Sequence, residues 1–232
     1  MAKKPKKGKG FGRCRTKGRK PLGLAFDFSG KWVKNDVEGW RKQPTIYLFR
    51  HAQTVFNKNH YFTGWQDSKL TPFGKVQAKV VARKLANKEI DIAICTSLSR
   101  SRDTLAAVLK KHPECRAIFT DDRMIERSYG KLAGTSHAKY ERDHSADELH
   151  NIRRKYDYPP PGGESIKMVE ARVLPFVRDL IKYMRKNRVN AAISAHGNSM
   201  RPFRKYFEKL TRKQMMTLEN PWDDYFEYRI KV

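Results

Sequence analysis

Two histidines stand in short polar segments whose side chains could carry out phosphoryl transfer. His51 directly follows Arg50, and His196 directly follows a strongly apolar stretch. A neutral imidazole nitrogen can attack phosphorus and divide a difficult transfer into two easier steps. Surrounding arginines disfavour the protonated imidazole, so His51 would remain nucleophilic near neutral pH. We therefore expect His51 to be the nucleophile, with Arg50, Arg100 and His196 holding the phosphate oxygens.

The transfer also needs a proton for the leaving oxygen. Glu126 is the carboxylic acid that stands among the polar segments, so it is the candidate general acid. Guanidinium and imidazolium groups supply the positive charge in this scheme, and no metal is expected. Each segment alone has an ordinary explanation, since a lone histidine after a strand is usually a surface or core residue and Gly197-Asn198 is typical of a turn. Their common position relative to the predicted strands favours a single site.

The position of the polar segments follows from an alternation of predicted strands and helices. The strands are predicted at Thr45–Phe49, Ile90–Cys95, Arg116–Phe119, Val189–Ala195 and Tyr225–Val232, and the helices at 70–88, 102–111 and 166–186 and from Asn198 onward. Such alternation predicts an α/β fold in three layers: a doubly wound, mostly parallel sheet with helices on both faces. Sites in these sheets lie at the carboxyl ends of strands, where the polar segments stand.

Composition predicts one large folded unit. The chain has 232 residues, 39% of them hydrophobic, which suits a single α/β domain at residues 44–232. Three cysteines without C-x-x-C spacing favour a reducing compartment with neither disulfides nor structural zinc. No apolar run approaches the roughly 20 residues that span a bilayer. We therefore expect a soluble, cytoplasmic protein without a membrane span.

The amino-terminal part of the chain differs from the rest. In residues 1–21 every ionisable side chain other than Cys14 is lysine or arginine, which is typical of a basic disordered tail. Residues 22–43 contain apolar anchors, including Trp40, and are predicted to pack on the main domain or on a partner. The formal net charge of +26 favours anionic partners such as phosphorylated metabolites, nucleic acid or anionic lipid.

Several segments together resemble the histidine phosphatase superfamily and, within it, cofactor-dependent phosphoglycerate mutase. The likeness runs from about Thr45 to the carboxyl terminus. It is carried by Arg50 to Asn57, Phe62 to Trp65, Arg100 to Thr104, Glu126 to Gly134, Arg153 to Pro161 and Ala195 to Arg201. The arginine pair Arg153-Arg154 points to phosphoglycerate in particular, because the family's arginines at these positions receive the substrate carboxylate.

The resemblance implies a phosphoglycerate mutase-like fold and assigns roles to residues. His51 becomes the phosphohistidine and Glu126 the acid and base. The implied phosphate pocket comprises Arg50, Arg100, His196 and Asn57, with a backbone donor from Asn198, while Thr63 and Gly64 contact substrate and Arg127, Tyr129, Arg153 and Arg154 receive its carboxylate. The implied reaction interconverts 3-phosphoglycerate and 2-phosphoglycerate in glycolysis and gluconeogenesis. Its primer is 2,3-bisphosphoglycerate, and no metal takes part.

Two other functions remain open from the sequence. The chain has His137 where the family has a substrate-contacting lysine, a shortened insert after the proline run, and no counterpart of the family's C-terminal shielding tail. A more open site would favour a metal-independent phosphatase acting on small phosphate esters. Alternatively, the basic residues 1–21 predict a protein that binds RNA, a ribosome or another polyanion while retaining this fold. The sequence leaves the oligomeric state open.

Overall fold

A computed structural model describes residues 39–231, so the predictions for residues 1–21 and 22–38 lie outside the described part of the chain. Its sheet has the strand order β3-β2-β4-β1-β5. The strands are β1 (Thr45–Arg50), β2 (Ile92–Cys95), β3 (Ala117–Thr120), β4 (Ala191–Ala195) and β5 (Tyr225–Arg229). The first four run parallel, and β5 pairs antiparallel with β1. This arrangement confirms the predicted mostly parallel α/β sheet.

Within residues 39–231, four longer helices cover the sheet and four shorter ones lie in the connections. The helices are α1 (Val55–Lys58), α2 (Pro72–Leu85), α3 (Ser99–Leu109), α4 (His137–Asp143), α5 (Ala146–Arg154), α6 (Ile166–Asn187), α7 (Gly197–Glu208) and α8 (Arg212–Thr217). Two short 3-10 turns occur at Asp122–Met124 and Gly130–Leu132. The predicted helices 102–111 and 166–186 correspond to α3 and α6.

Alternating side chains divide the core into two layers. In β1, Ile46 and Leu48 pack with the buried faces of α6 and α7, whereas Tyr47 and Phe49 pack with α2 and α3. The two-residue period of a strand sends successive side chains to opposite faces of the sheet, and apolar residues at every position therefore require cover on both sides. The predicted three-layer architecture is confirmed.

Local hydrogen bonds set where the helices begin. Thr71 caps α2 by accepting a hydrogen bond from the backbone N–H of Gly74, so this helix starts after the predicted position 70. Helix α3 instead starts three residues before the predicted Arg102. The carboxylate of Asp67 accepts hydrogen bonds from both the backbone N–H and the hydroxyl of Ser99, a distant cap that sequence spacing does not reveal.

Residues 39–41 lie along the end of α6. The backbone N–H of Gly39 donates to the carbonyl of Asn187 at 2.7 Å, and that of Arg41 donates to the carbonyl of Arg188 at 3.0 Å. Trp40 between them is 71% exposed and does not pack on the domain, so its role as an apolar anchor for a partner stays a prediction. The attachment is made by backbone atoms. Within residues 39–231, no helix has both the length and the apolarity to cross a membrane.

Candidate active site

A polar cavity of about 290 Å³ lies at the carboxyl ends of the parallel strands. Eleven of the thirteen predicted site residues line it: Arg50, His51, Asn57, Thr63, Gly64, Arg100, Glu126, Tyr129, Arg153, Arg154 and Asn198. His196 does not line the cavity itself, but its ring contacts that of His51. Segments that are up to about 150 positions apart in the sequence therefore meet at the carboxyl ends of the strands, as expected for a parallel sheet. The thirteenth residue, Arg127, lies elsewhere.

His51 is held as a neutral nucleophile. Its Nδ1–H donates to the carbonyl of Ala52 at 2.8 Å, which places the proton on Nδ1 and leaves the lone pair of Nε2 free. The ring is 1% exposed. Burial lowers the pKa of His51 well below its usual value of 6.5, and the charges of Arg100 and Arg50 lower it further. The predicted effect of the arginines is present, with burial as the larger cause.

His196 lies against His51, with ring centroids 5.0 Å apart. It is fully buried, and its Nε2 is 2.8 Å from the hydroxyl of Thr96. Burial is again the main reason that the pKa of His196 is lowered well below 6.5, followed by the charge of Arg100 and the proximity of His51. Thr96 follows β2 and orients this ring, a role that the sequence did not indicate.

The guanidinium groups of Arg50, which is half-buried, and of Arg100, which is fully buried, flank the histidines. Arg100 donates to the carbonyls of Gln66 and Gly64 at 2.9 and 2.7 Å, and burial lowers its pKa to about 10. Arg50 donates to the carbonyl of Asn220 at 3.1 Å and lies over the ring of Trp222, 4.8 Å from its centroid. Backbone carbonyls rather than carboxylates therefore hold both cations, so their positive charge is available to an anion.

Glu126 has a carboxylate oxygen within 4.8 Å of a ring nitrogen of each of the two histidines. Its Oε1 accepts hydrogen bonds from the backbone N–H groups of Arg127 at 2.8 Å and Asn198 at 3.2 Å. Both recorded bonds use the same oxygen, so Oε2 is the oxygen available for proton transfer. The backbone N–H of Asn198, which was predicted to donate to the phosphate, donates in this structure to the candidate acid, and the phosphate contact stays a prediction.

Several buried donors in or next to the cavity wall lack a partner among residues 39–231. They are Nε of Arg50, Nε of Arg100, Nδ1 of His196, Nη1 of Arg201 and Nε1 of Trp222. Buried polar atoms without partners are costly, and such atoms around one cavity indicate that a ligand satisfies them. Because most of these atoms belong to cations, the ligand that fits is a polyatomic anion such as phosphate.

A second set of cations reaches the cavity from α5. Arg153 and Arg154 both line it, and Arg154 donates to Oε1 of Glu219 at 3.1 Å. Tyr129 lies beside them, with its ring 4.9 Å from that of Phe62. The cavity thus has one group of cations next to His51 and another on the last turn of a separate helix.

Arg127 does not reach the cavity. Its side chain is fully buried and donates to the backbone carbonyls of Glu164, Ile152 and Tyr158. Arg127 therefore lies outside the cavity lining in this structure, and its predicted role in receiving the substrate carboxylate stays a prediction. The guanidinium instead ties three separate segments together behind the site, because all three carbonyls face it at hydrogen-bonding distance.

The cavity also contains a geometric arrangement of metal-ligand type. Ligand atoms of His51, Glu126 and His196 lie within 4.8 Å of one another. Two guanidinium groups beside these atoms oppose a cation, since like charges repel strongly at a buried site. The donor set suits an anion better than a metal, and the expectation that no metal takes part stays a prediction.

Several cavity residues were missed by the sequence reasoning. Arg201 stands one helical turn after Gly197, which is a spacing that could have placed it on the same face as the start of α7. The segment Leu218–Trp222 gave no such signal. Its position depends on α8 and on hydrogen bonds from Arg204 to the carbonyl of Glu219 and to the side chain of Asn220.

Comparison with known proteins places this site in a family. The model of the histidine phosphatase superfamily (branch 1) matches residues 46–223. The chain belongs to the histidine phosphatase superfamily. A 2,3-bisphosphoglycerate-dependent phosphoglycerate mutase of Methylobacterium sp. (strain 4-46) is 37% identical over 193 residues, which is 81% of this chain and 91% of the relative. One of Parvibaculum lavamentivorans is 35% identical, covering 75% and 84%.

Two solved phosphatase structures share the fold. A mycobacterial glucosyl-3-phosphoglycerate phosphatase has a TM-score of 0.69 at 23% identity, over 80% of this chain and 89% of that one. The α-ribazole phosphatase from Shigella flexneri has a TM-score of 0.69 at 19% identity, over 79% and 89%. The family model confirms the predicted membership of the histidine phosphatase superfamily. The similarity to the two mutases confirms the predicted resemblance to its phosphoglycerate mutase branch.

Proposed function

We propose that the protein is a phosphoglycerate mutase that interconverts 3-phosphoglycerate and 2-phosphoglycerate through a phosphohistidine at His51, with 2,3-bisphosphoglycerate as primer. The observation that carries the proposal is the presence of two cation groups in one cavity. Arg50 and Arg100 flank the nucleophile, and Arg153 and Arg154 line the same cavity from α5. A substrate with a phosphate and a separate carboxylate matches this distribution.

The residues perform the first half of the reaction as follows. Nε2 of His51 attacks phosphorus of the primer, and the phosphorus–oxygen ester bond breaks. Glu126 gives its proton to the departing oxygen, while Arg50, Arg100 and His196 hold the three phosphoryl oxygens. The donors that lack a partner in the cavity wall supply these contacts without having to break others.

The second half runs in the opposite direction. Glu126, now a carboxylate, takes the proton from the substrate hydroxyl as its oxygen attacks the phosphohistidine and the phosphorus–nitrogen bond breaks. The product is a bisphosphate. When it turns within the cavity, its other phosphate faces His51, and a repeat of the first half releases the isomerised product.

A phosphatase activity is the second candidate, because one expected cation is missing. His137 lines the cavity where the family has a lysine, and burial lowers its pKa to about 4, with Arg153 and His60 contributing. It is therefore neutral near pH 7. With one charge fewer to hold substrate, water could replace the hydroxyl as acceptor of the phosphoryl group.

Product analysis with 3-phosphoglycerate tests the proposal. With primer present, we expect 2-phosphoglycerate to exceed released inorganic phosphate, and the trapped protein to carry an acid-labile phosphate on His51. His51→Ala should abolish both products. Release of phosphate without isomerisation would favour the phosphatase activity over the mutase activity. Absence of any phosphoprotein would contradict both proposed activities.

A further inference from the structure

A basic surface lies at the edge of the sheet opposite the cavity. It is formed by the exposed side chains of Lys42, Lys182, Arg185, Arg188 and Lys231, and is called the rear basic surface here. Hydrogen bonds bring its members together. Arg185 Nε donates to the carbonyl of Lys231 at 2.8 Å, and Arg41 N donates to the carbonyl of Arg188 at 3.0 Å, next to Lys42.

The positive charge of this surface is not neutralised by the nearby acids. Asp179 on α6 pairs with Arg123, Glu89 pairs with Arg41, and Glu227 on β5 pairs with Lys88. Residues 39–232 contain 38 lysines and arginines against 21 aspartates and glutamates, an excess of 17 positive charges. An excess of this size attracts polyanions, and it is larger than the binding of a small phosphorylated substrate requires.

The basic amino-terminal sequence joins the domain at this surface. Residues 1–38 contain 12 lysines and arginines against three acidic residues, and the described chain begins at Gly39, bonded to the end of α6. The basic amino-terminal sequence is therefore covalently attached next to the rear basic surface. The neighbouring Trp40 is 71% exposed and has the guanidinium of Arg41 5.0 Å from its ring centroid.

We propose that the rear basic surface, with Trp40, binds single-stranded nucleic acid. The lysines and arginines would track the phosphates, and the exposed indole would stack on a base, the combination that single-strand binding sites use. An anionic lipid surface would use the charges alone. The strand β1, six residues long, separates this surface from His51, which is about 17 Å at the usual rise of a strand. The cavity therefore stays open while nucleic acid is bound.

Fluorescence anisotropy of the full chain with a labelled single-stranded RNA, over a series of salt concentrations, tests this proposal. The variant Lys182→Gln/Arg185→Gln/Arg188→Asn removes three charges from the surface. We expect it to weaken binding about tenfold and to flatten the dependence of log affinity on log salt. Trp40→Ala should weaken binding at every salt concentration and leave that slope unchanged.

A matched control removes three exposed charges from another face. Lys75, Lys79 and Arg83 lie along α2, and their replacement by glutamine should leave RNA affinity near the wild-type value. Equal losses in both triple variants would overturn the proposal, because binding would then follow net charge alone. Loss of affinity in Arg100→Gln would also overturn it by placing RNA in the catalytic cavity. Phosphatidylserine vesicles, added at equal charge, serve as competitor. If they displace the bound RNA and Trp40→Ala has no effect on binding, the surface binds anionic lipid and the proposal is overturned.

Discussion

At the scale of single residues, the state of one imidazole decides the chemistry. The carbonyl of Ala52 fixes the proton of His51 on Nδ1, and burial together with two arginines keeps the ring neutral. A lowered pKa keeps Nε2 available below the pH at which a free histidine would be protonated. The nucleophile is therefore ready before the substrate arrives.

This state predicts a specific titration. In nitrogen-15 NMR spectra, His51 should remain in its neutral Nδ1–H form at pH 6.5 and below. Arg100→Gln should raise its pKa, because a neighbouring positive charge that opposes protonation is removed. Arg102→Gln, on the same helix but outside the cavity, is the control and should leave the titration of His51 unchanged. A His51 that titrates near 6.5 in the wild type would contradict this reading.

Glu126→Gln separates proton transfer from positioning. Glutamine keeps an oxygen that can accept the hydrogen bonds from the backbone N–H groups of Arg127 and Asn198, but it cannot give up a proton. We expect kcat for 3-phosphoglycerate to fall roughly 10²–10⁴-fold with little change in KM. An aryl phosphate whose leaving group needs no proton should lose much less. Equal losses for the two substrates would show that Glu126 acts in some other way.

At the scale of elements, the segment Leu218–Trp222 completes the cavity. It supplies the carbonyl that holds Arg50, the ring that stacks on it, and the carboxylate of Glu219 that pairs with Arg154. Glu219 is exposed at the cavity mouth. Its carboxylate forms an ion pair with Arg154, which we propose binds the carboxylate of the substrate. An incoming carboxylate must therefore displace it.

Removing this competition should favour the substrate. Glu219→Gln is expected to lower KM for 3-phosphoglycerate several-fold, since Arg154 is released and a negative charge at the mouth is lost. Steady-state kinetics at low ionic strength measure the change. Asp223→Asn is the matched control, an exposed acid close by in the sequence that does not line the cavity. An unchanged KM in Glu219→Gln, or an equal fall in both variants, would count against this role.

At the scale of the whole molecule, two buried neutral histidines link stability to pH. The pKa values of His51 and His196 are lowered in the folded protein, whereas in the unfolded chain they are about 6.5. Below that pH the unfolded state binds protons that the folded state does not, so the free energy of unfolding falls as pH falls. Above it, this contribution to the pH dependence vanishes.

Urea unfolding between pH 7.5 and 5.5 tests this linkage. We expect each histidine to contribute a slope of up to about 1.4 kcal/mol per pH unit below pH 6.5. His51→Asn and His196→Asn should each reduce the slope, whatever their effect on stability at pH 7.5. The exposed His150, replaced by Asn, is the control. A stability that does not change over this range in the wild type would disprove the prediction.

The sequence by itself determined the sheet and most of the site. Apolar strands are followed at once by Arg50-His51 and by His196, and six residues after β3 by Glu126. Such residues have their chemistry at the carboxyl edge of any parallel sheet, so they could be grouped without coordinates. The alternation of strands and helices likewise required cover on both faces. Local sequence patterns were sufficient for these features, because both the alternation of strands and helices and the residues at the strand ends depend on neighbours in the sequence.

Only the tertiary structure decided the contacts between distant segments. Asp67 starts α3 early, Arg127 turns away from the cavity to hold three backbone carbonyls, and Leu218–Trp222 closes over Arg50. Each depends on where separate parts of the chain meet, and an arginine has the same local signature whether it faces a ligand or a carbonyl. The physical reason is that the strength of such a hydrogen bond depends on partners and burial, and neither is encoded in residues nearby in the sequence.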